Sequence, residues 1–266
     1  MRLLLVLAML AVAVATAQTQ TGHVNDEKKA PDYARVMHTA PDYAREKRWA
    51  DEITPALVVG DAVYLQQKSG HKFLSIYAEV KPARAAVIVV HGLGMHPDWA
   101  LIGALRSGLA DQGYATLSVQ MPVLSAGTLG EDYPALFPDA AERLTAVVAF
   151  LKSKGHHKIA LAAHSMGARM SNFFLATTPD NGVGAWIAIG ISNGEFTDAD
   201  KLRAPILDLS GEHDLPQVRR KAALRGTVLR TLKGSAQIEV AGADHYFAGH
   251  ERALVTQTRQ FLDRRF

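Results

Sequence analysis

Lys158-Ile159-Ala160-Leu161-Ala162-Ala163-His164-Ser165-Met166-Gly167-Ala168-Arg169-Met170-Ser171-Asn172-Phe173-Phe174-Leu175 is the stretch that decides the fold. Its first five residues form a mostly apolar run, as expected of a buried strand. Its last eight read as a helix. Between them stands a serine flanked by small residues two positions before and two positions after, so the chain can turn sharply from strand to helix. Such a turn lifts the Ser165 hydroxyl above a sheet and sets it at a helix N-terminus. There the dipole and the unpaired amide hydrogens favour a developing anion. The competing reading is structural: a serine that only caps the helix.

Outward from this turn, strands and helices alternate. Residues 62–65 and 73–77 have the alternation of two strands, with Ser69-Gly70 as the turn of an antiparallel entry hairpin. Residues 85–90 form a continuous valine-rich run. A helix over 99–112, a strand over 115–119 and a helix over 139–154, capped by Asp139 and closed by Gly155, lead into the Ser165 unit. Three more strands are expected at 185–191, 206–209 and 237–240, and a last helix at about 249–264. This rhythm predicts an α/β fold: a doubly wound, mostly parallel sheet with helices on both faces and an antiparallel N-terminal hairpin. Residues 121–138 break it. With three prolines, two glycines and several large apolar residues, they make a connection longer than usual, read either as a wall or lid over a site or as a plain surface excursion.

A serine hydroxyl needs a base within hydrogen-bond reach, and the base needs an acid to orient it. After the strand Ile206-Leu207-Asp208-Leu209 comes Ser210-Gly211-Glu212-His213-Asp214, which puts Asp214 just past a strand end with Glu212 as its local competitor. After Gln237-Ile238-Glu239-Val240 comes Ala241-Gly242-Ala243-Asp244-His245, so His245 also lies just past a strand end. His250 is its rival but falls in the last helix, and the His164 side chain should point away from that of Ser165. His91-Gly92-Leu93-Gly94 follows the strand ending at Val90. A glycine-rich loop in that place offers a backbone N–H to a developing oxyanion, making Leu93 and Met166 the candidate donors. His91 and His96 lack a carboxylate that would complete a metal site, so neither metal nor cofactor is expected.

The span from Asp61 to Phe266, with serine, acid and histidine in that order, resembles the α/β-hydrolase superfamily. In detail, His91-Gly92-Leu93-Gly94-Met95-His96-Pro97-Asp98-Trp99, Gln120-Met121-Pro122-Val123-Leu124 and His164-Ser165-Met166-Gly167-Ala168 resemble a bacterial family of exported α/β-hydrolase-like proteins of uncharacterised function. The resemblance implies the fold and a Ser165–His245–Asp214 triad acting on a small-molecule acyl substrate, with esters expected first. It is silent on the substrate itself. Ala163 replaces the usual first glycine of the motif, a small-for-small exchange. A non-catalytic binding module loosely associated with the cell envelope and an amidase or peptidase stand as alternatives.

Composition narrows the classes. A net charge of +3 with scattered lysine and arginine makes no basic stripe, so nucleic acid is not an expected partner. The absence of cysteine excludes disulfides and thiol catalysis. Residues 1–17 have a charged start, a short apolar core and Ala15-Thr16-Ala17, the pattern of a cleaved signal peptide. The apolar run is shorter than the roughly 20 residues of a spanning helix. A periplasmic or secreted protein is therefore expected. Residues 18–55 read as an N-terminal arm, in which Ala30-Pro31-Asp32-Tyr33-Ala34-Arg35 recurs as Ala40-Pro41-Asp42-Tyr43-Ala44-Arg45, and 56–266 as the main domain. In the arm, Tyr43, Trp49 and Ile53 are expected to line a short docking helix.

Overall fold

Eight strands and seven helices follow one another in the computed structural model, which describes residues 40–266. In chain order they are α1 (Tyr43–Ile53), β1 (Asp61–Gln66), β2 (Lys72–Ala78), β3 (Ala86–Val90), α2 (Ala100–Asp111), β4 (Ala115–Val119), α3 (Phe137–Ser153) and β5 (Ile159–His164). They continue with α4 (Met166–Thr177), β6 (Ala185–Ile189), β7 (Ile206–His213), α5 (Pro216–Arg220), α6 (Ala222–Thr231), β8 (Ala236–Asp244) and α7 (Glu251–Asp263). The signal-like segment and the first copy of the hexapeptide lie outside the described residues. Among the described residues no helix is long and apolar enough to cross a membrane.

All eight strands form one sheet in the order β1-β2-β4-β3-β5-β6-β7-β8. β2 pairs antiparallel with β1 and with β4, and every other pairing is parallel. The central strands are apolar throughout because both their faces are covered. Ile88, Val90, Leu161, Ala163 and Trp186 pack with α3 and α4. Val87, Val89, Ala162, Ile187 and Leu209 pack with α2 and α7 on the opposite face. The sheet thus has helices on both sides, as the alternation of the sequence implies.

Three departures from the sequence reading bear on how the elements are built. Asp139 is not the cap of α3. The helix begins at Phe137, with Pro138 in its first turn, after a 3-10 turn at Tyr133–Leu136. Proline is tolerated there because the first amide hydrogens of a helix have no intrahelical partner. Asp139 instead accepts a hydrogen bond from Gln67 Nε2 at 3.2 Å. Second, β7 and β8 run on through residues read as turns, as far as His213 and Asp244. The small residues permit close pairing: a Cβ on Gly211 would lie 2.3 Å from the Ala243 carbonyl oxygen.

The third concerns α1. Asp42 caps it, accepting from the Arg45 amide at 2.9 Å, but the helix buries Glu46 and Ala50 rather than the side of Tyr43, Trp49 and Ile53. Glu46 receives both terminal nitrogens of the fully buried Arg143, at 2.9 and 3.1 Å. Arg143 also donates to Gln67 and to the Gln120 carbonyl. Tyr43 is 37% exposed and stacks on His71. The start of α1 also holds the connection at 121–138: Asp42 N–H donates to the Val123 carbonyl at 2.7 Å and Arg45 Nη1 to that of Leu124 at 2.8 Å. That connection is anchored by buried Met121, Leu124, Tyr133 and Leu136, while Leu129 stands out at 57% exposure.

Candidate active site

Ser165 sits between β5 and α4 with φ 55° and ψ −116°, a conformation that costs a non-glycine residue on the order of 1–3 kcal/mol. The surroundings over-determine it. Its amide continues the β5–β6 ladder by donating to Ile189 O at 2.8 Å, and its carbonyl accepts from Ala168 N–H at 3.1 Å. Gly167 is required by the same packing, since a Cβ there would lie 2.3 Å from the His91 carbonyl oxygen. Ala163 fits fully buried where the motif usually has glycine.

Three strand ends bring three side chains together. Ser165 Oγ is 2.9 Å from His245 Nε2, and His245 Nδ1 is 2.6 Å from Asp214 Oδ1. All three residues are buried. Asp214 follows the last residue of β7, and His245 that of β8. Burial pushes the Asp214 carboxyl up, but the hydrogen bond and charge of His245, with the Leu215 and Gly211 amides, outweigh it and hold the group below its ordinary value. An ionised carboxylate therefore faces the imidazole edge remote from the serine. The rivals stand apart: Glu212 is exposed and accepts from Gly242 N–H at 2.8 Å. His250 lies at the position before α7 rather than inside it, and its Nδ1 contacts the Ala248 carbonyl.

The loop after β3 lies against the serine turn, for a Cβ on Gly92 would fall 3.1 Å from Ser165 Cβ. His91 orients this loop. Its Nε2 accepts from Met121 N–H at 2.9 Å, so its Nδ1 carries the proton and donates to Gly92 O at 2.9 Å. In a trans peptide the N–H points opposite to the C=O, so fixing the Gly92 carbonyl fixes the direction of the Leu93 N–H. Met166 is the first residue of α4, where an N–H has no intrahelical acceptor. Among the described residues no acceptor takes either the Leu93 or the Met166 N–H. Both stay available for a negative oxygen.

Two histidine roles are not readable from the sequence. Burial holds the His91 and His164 imidazoles down to about 3, so both are neutral. The His164 Nε2–H donates to the backbone carbonyl of His245 at 2.9 Å, and its ring centroid lies 4.7 Å from that of His245. The residue before the serine thus fixes the loop that carries the histidine. Only its identity as a histidine beside Ser165 hints at this; the partner is 81 residues away. Exposed Tyr246 packs edge-on against His245 and Trp99, adding an aromatic rim. Among the described residues no three histidine, aspartate or glutamate side chains converge as metal ligands.

Solved structures with the same architecture are numerous. A dienelactone hydrolase from Anabaena variabilis is 20% identical, with 77% of this chain and 97% of that one covered and a TM-score of 0.62. Est1E from Butyrivibrio proteoclasticus is 17% identical, with 77% and 98% covered and a TM-score of 0.60. An α/β serine hydrolase without lid from Xanthomonas campestris is 18% identical, with 78% and 95% covered and a TM-score of 0.59. At such identities the likeness establishes the fold, that of the α/β hydrolases. No curated protein matches the chain by sequence. Residues 1–139 match a family described as a protein of unknown function, DUF3530; the matched stretch includes the loop from His91 to Met95 and ends before Ser165. An α/β-hydrolase fold whose first half carries this match makes the chain a member of the DUF3530 family of proteins of unknown function.

Proposed function

We propose that the protein is a serine hydrolase that cleaves acyl esters through an acyl-enzyme. The observation that carries this reading is the hydrogen-bonded chain Ser165 Oγ–His245 Nε2 and His245 Nδ1–Asp214 Oδ1, at 2.9 and 2.6 Å. Ser165 Oγ attacks the acyl carbon while its proton passes to His245 Nε2. The carbonyl electron pair moves onto oxygen, which the Leu93 and Met166 N–H groups receive. Collapse expels the alkoxide, which takes the proton from His245, and leaves Ser165 acylated. Water then repeats the sequence: His245 removes its proton, the oxygen attacks the acyl carbon, and Ser165 leaves as the free hydroxyl. Asp214 holds the imidazole and stabilises its charged form. The chemistry needs no cofactor, and esters come first because their leaving groups need the least assistance. Residues 121–138 border the acyl side, since Gly130 lies against the Met166 side chain.

The signal-like N-terminus supports a periplasmic or secreted location. One experiment tests both parts. Protein recovered from an envelope fraction and treated with a fluorophosphonate probe is expected to start at Gln18 and to carry the label on Ser165. It should also hydrolyse p-nitrophenyl esters. Labelling or hydrolysis that persists in Ser165→Ala defeats the assignment, and an intact Met1 on soluble cytoplasmic protein defeats the location.

A further inference from the structure

Arg169 lies one turn into α4, and its amide donates to the Ser165 carbonyl at 3.4 Å. It is half-buried. The other described arginines that are buried or half-buried each give their guanidinium an oxygen. Arg45 takes the Leu124 carbonyl, Arg106 takes Asp98, Arg143 takes Glu46, Arg225 takes Asp208 and Arg259 takes Asp263. Arg169 has no oxygen partner among the described residues. Its side chain lies over the Phe137 ring, 5.5 Å from the centroid. A guanidinium carries five donors, and no described residue engages those of Arg169. The ring contact is a weak one that leaves the hydrogen-bonding capacity of the guanidinium free. Burial accordingly lowers the guanidinium's affinity for its proton, and among the described residues no acidic group opposes the effect. None of its nitrogens is sealed off from the exterior.

The direction of the side chain gives this vacancy a meaning. Helical side chains lean toward the N-terminus and cover the turn before their own Cα. For Arg169 that turn begins at Ser165. Phe137, which it faces, opens α3 at the end of the connection at 121–138 and packs on Phe173 at 5.8 Å. The side chain thus starts one turn past Ser165 and reaches Phe137, beside the segment that borders the acyl side in the reading above.

We propose that Arg169 is a specificity residue that pairs with a carboxylate at the far end of the acyl group, making half-esters of dicarboxylic acids the preferred substrate class. The planar fork of a guanidinium matches a carboxylate with two parallel hydrogen bonds. This inference rests on the esterase reading above and extends it to the substrate.

The test compares two esters that differ only at the remote end, mono-p-nitrophenyl adipate with its carboxylate and p-nitrophenyl hexanoate with a methyl group. The ratio of their kcat/KM values is expected to fall about ten- to hundred-fold in Arg169→Gln and to recover in part in Arg169→Lys. The change should appear mainly in KM, and the wild-type ratio should decline with added salt. A ratio unchanged in Arg169→Gln, with hydrolysis still dependent on Ser165, overturns the proposal and leaves the esterase reading standing. If neither ester is hydrolysed by the wild type, the esterase reading fails, and a binding measurement decides the rest. Monomethyl adipate titrated into the full chain by NMR should bind Ser165→Ala more tightly than the Ser165→Ala/Arg169→Gln double variant. Equal binding to the two overturns the carboxylate site.

Discussion

At the scale of single residues, the acid of the site is where two carboxylates compete in sequence and only one reaches the imidazole in space. Asp214 is 2.6 Å from His245 Nδ1, whereas Glu212 braces the Gly242 amide on the exposed side of the β7–β8 pair. Asp214→Asn is expected to lower kcat on the best ester by roughly 10⁴-fold, because an amide supplies no charge and favours the wrong tautomer. Glu212→Gln should lower it by less than about threefold. Comparing kcat/KM for these two variants checks the assignment, and a larger loss in Glu212→Gln would reverse it. The meeting of Ser165, Asp214 and His245 in space was legible in the sequence because each follows a strand end, and strand ends are marked by apolar runs giving way to small residues. The work of His91 and His164 was not, since each acts on a carbonyl whose place is set by the fold rather than by spacing. Arg169 was illegible for a related reason: an arginine on a helix looks solvated until its surroundings prove to hold no acceptor.

Among the elements, α1 shows how a helix can be legible while its buried face is not. A short helix was expected here, but its face was read from Tyr43, Trp49 and Ile53, the large apolar residues. The structure buries an ion pair instead, and nothing in the local sequence links Glu46 to Arg143, 97 positions away. Removing one member of such a pair strands the other charge. Glu46→Ala is expected to destabilise the protein by about 3–5 kcal/mol, read as a lower urea midpoint. Glu46→Ala paired with Arg143→Met should recover a large part of that loss, because no buried charge is left unpaired. A single variant as stable as wild type would show that Arg143 is hydrated and that the pair does not hold the helix. The connection at 121–138 divides in the same way. Leu136 is fully buried and belongs to the core, while Phe137, one residue on, faces Arg169 and Phe173.

For the whole molecule, the alternation of strands and helices was enough to expect a parallel sheet with a hairpin at its edge. The antiparallel pairing of β2 with β4, and the extension of β7 and β8, depend on contacts between distant segments that no local pattern encodes. The buried histidines also give the molecule a global acid response. Burial holds His91 and His164 at about 3, well below the roughly 6.5 of an unfolded chain. The unfolded state therefore binds more protons. The stability these groups contribute is complete above about 6.5 and is lost as the pH falls from there toward 3. His96 and His156, also held down by burial, act in the same direction. Unfolding free energy from urea titrations should drop by roughly 2 kcal/mol per pH unit between about pH 6 and about pH 4.5, reduced by the buried Asp208 carboxyl, whose pKa burial raises. The slope should be shallower in His164→Gln. A flat profile would mean that the two imidazoles are hydrated and titrate freely.

The three strand ends that meet at Ser165 also set an order in time. A chain made from its N-terminus forward exposes the serine turn while β7 and β8 are still unmade. His245 belongs to the end of the last strand, and its backbone is held by His164 only once that strand has joined the sheet edge. Until then Ser165 has neither His245 nor Asp214 beside it. On the esterase reading proposed above, a nascent or prematurely ended chain is chemically silent, and reactivity is expected to begin only when the sheet is complete.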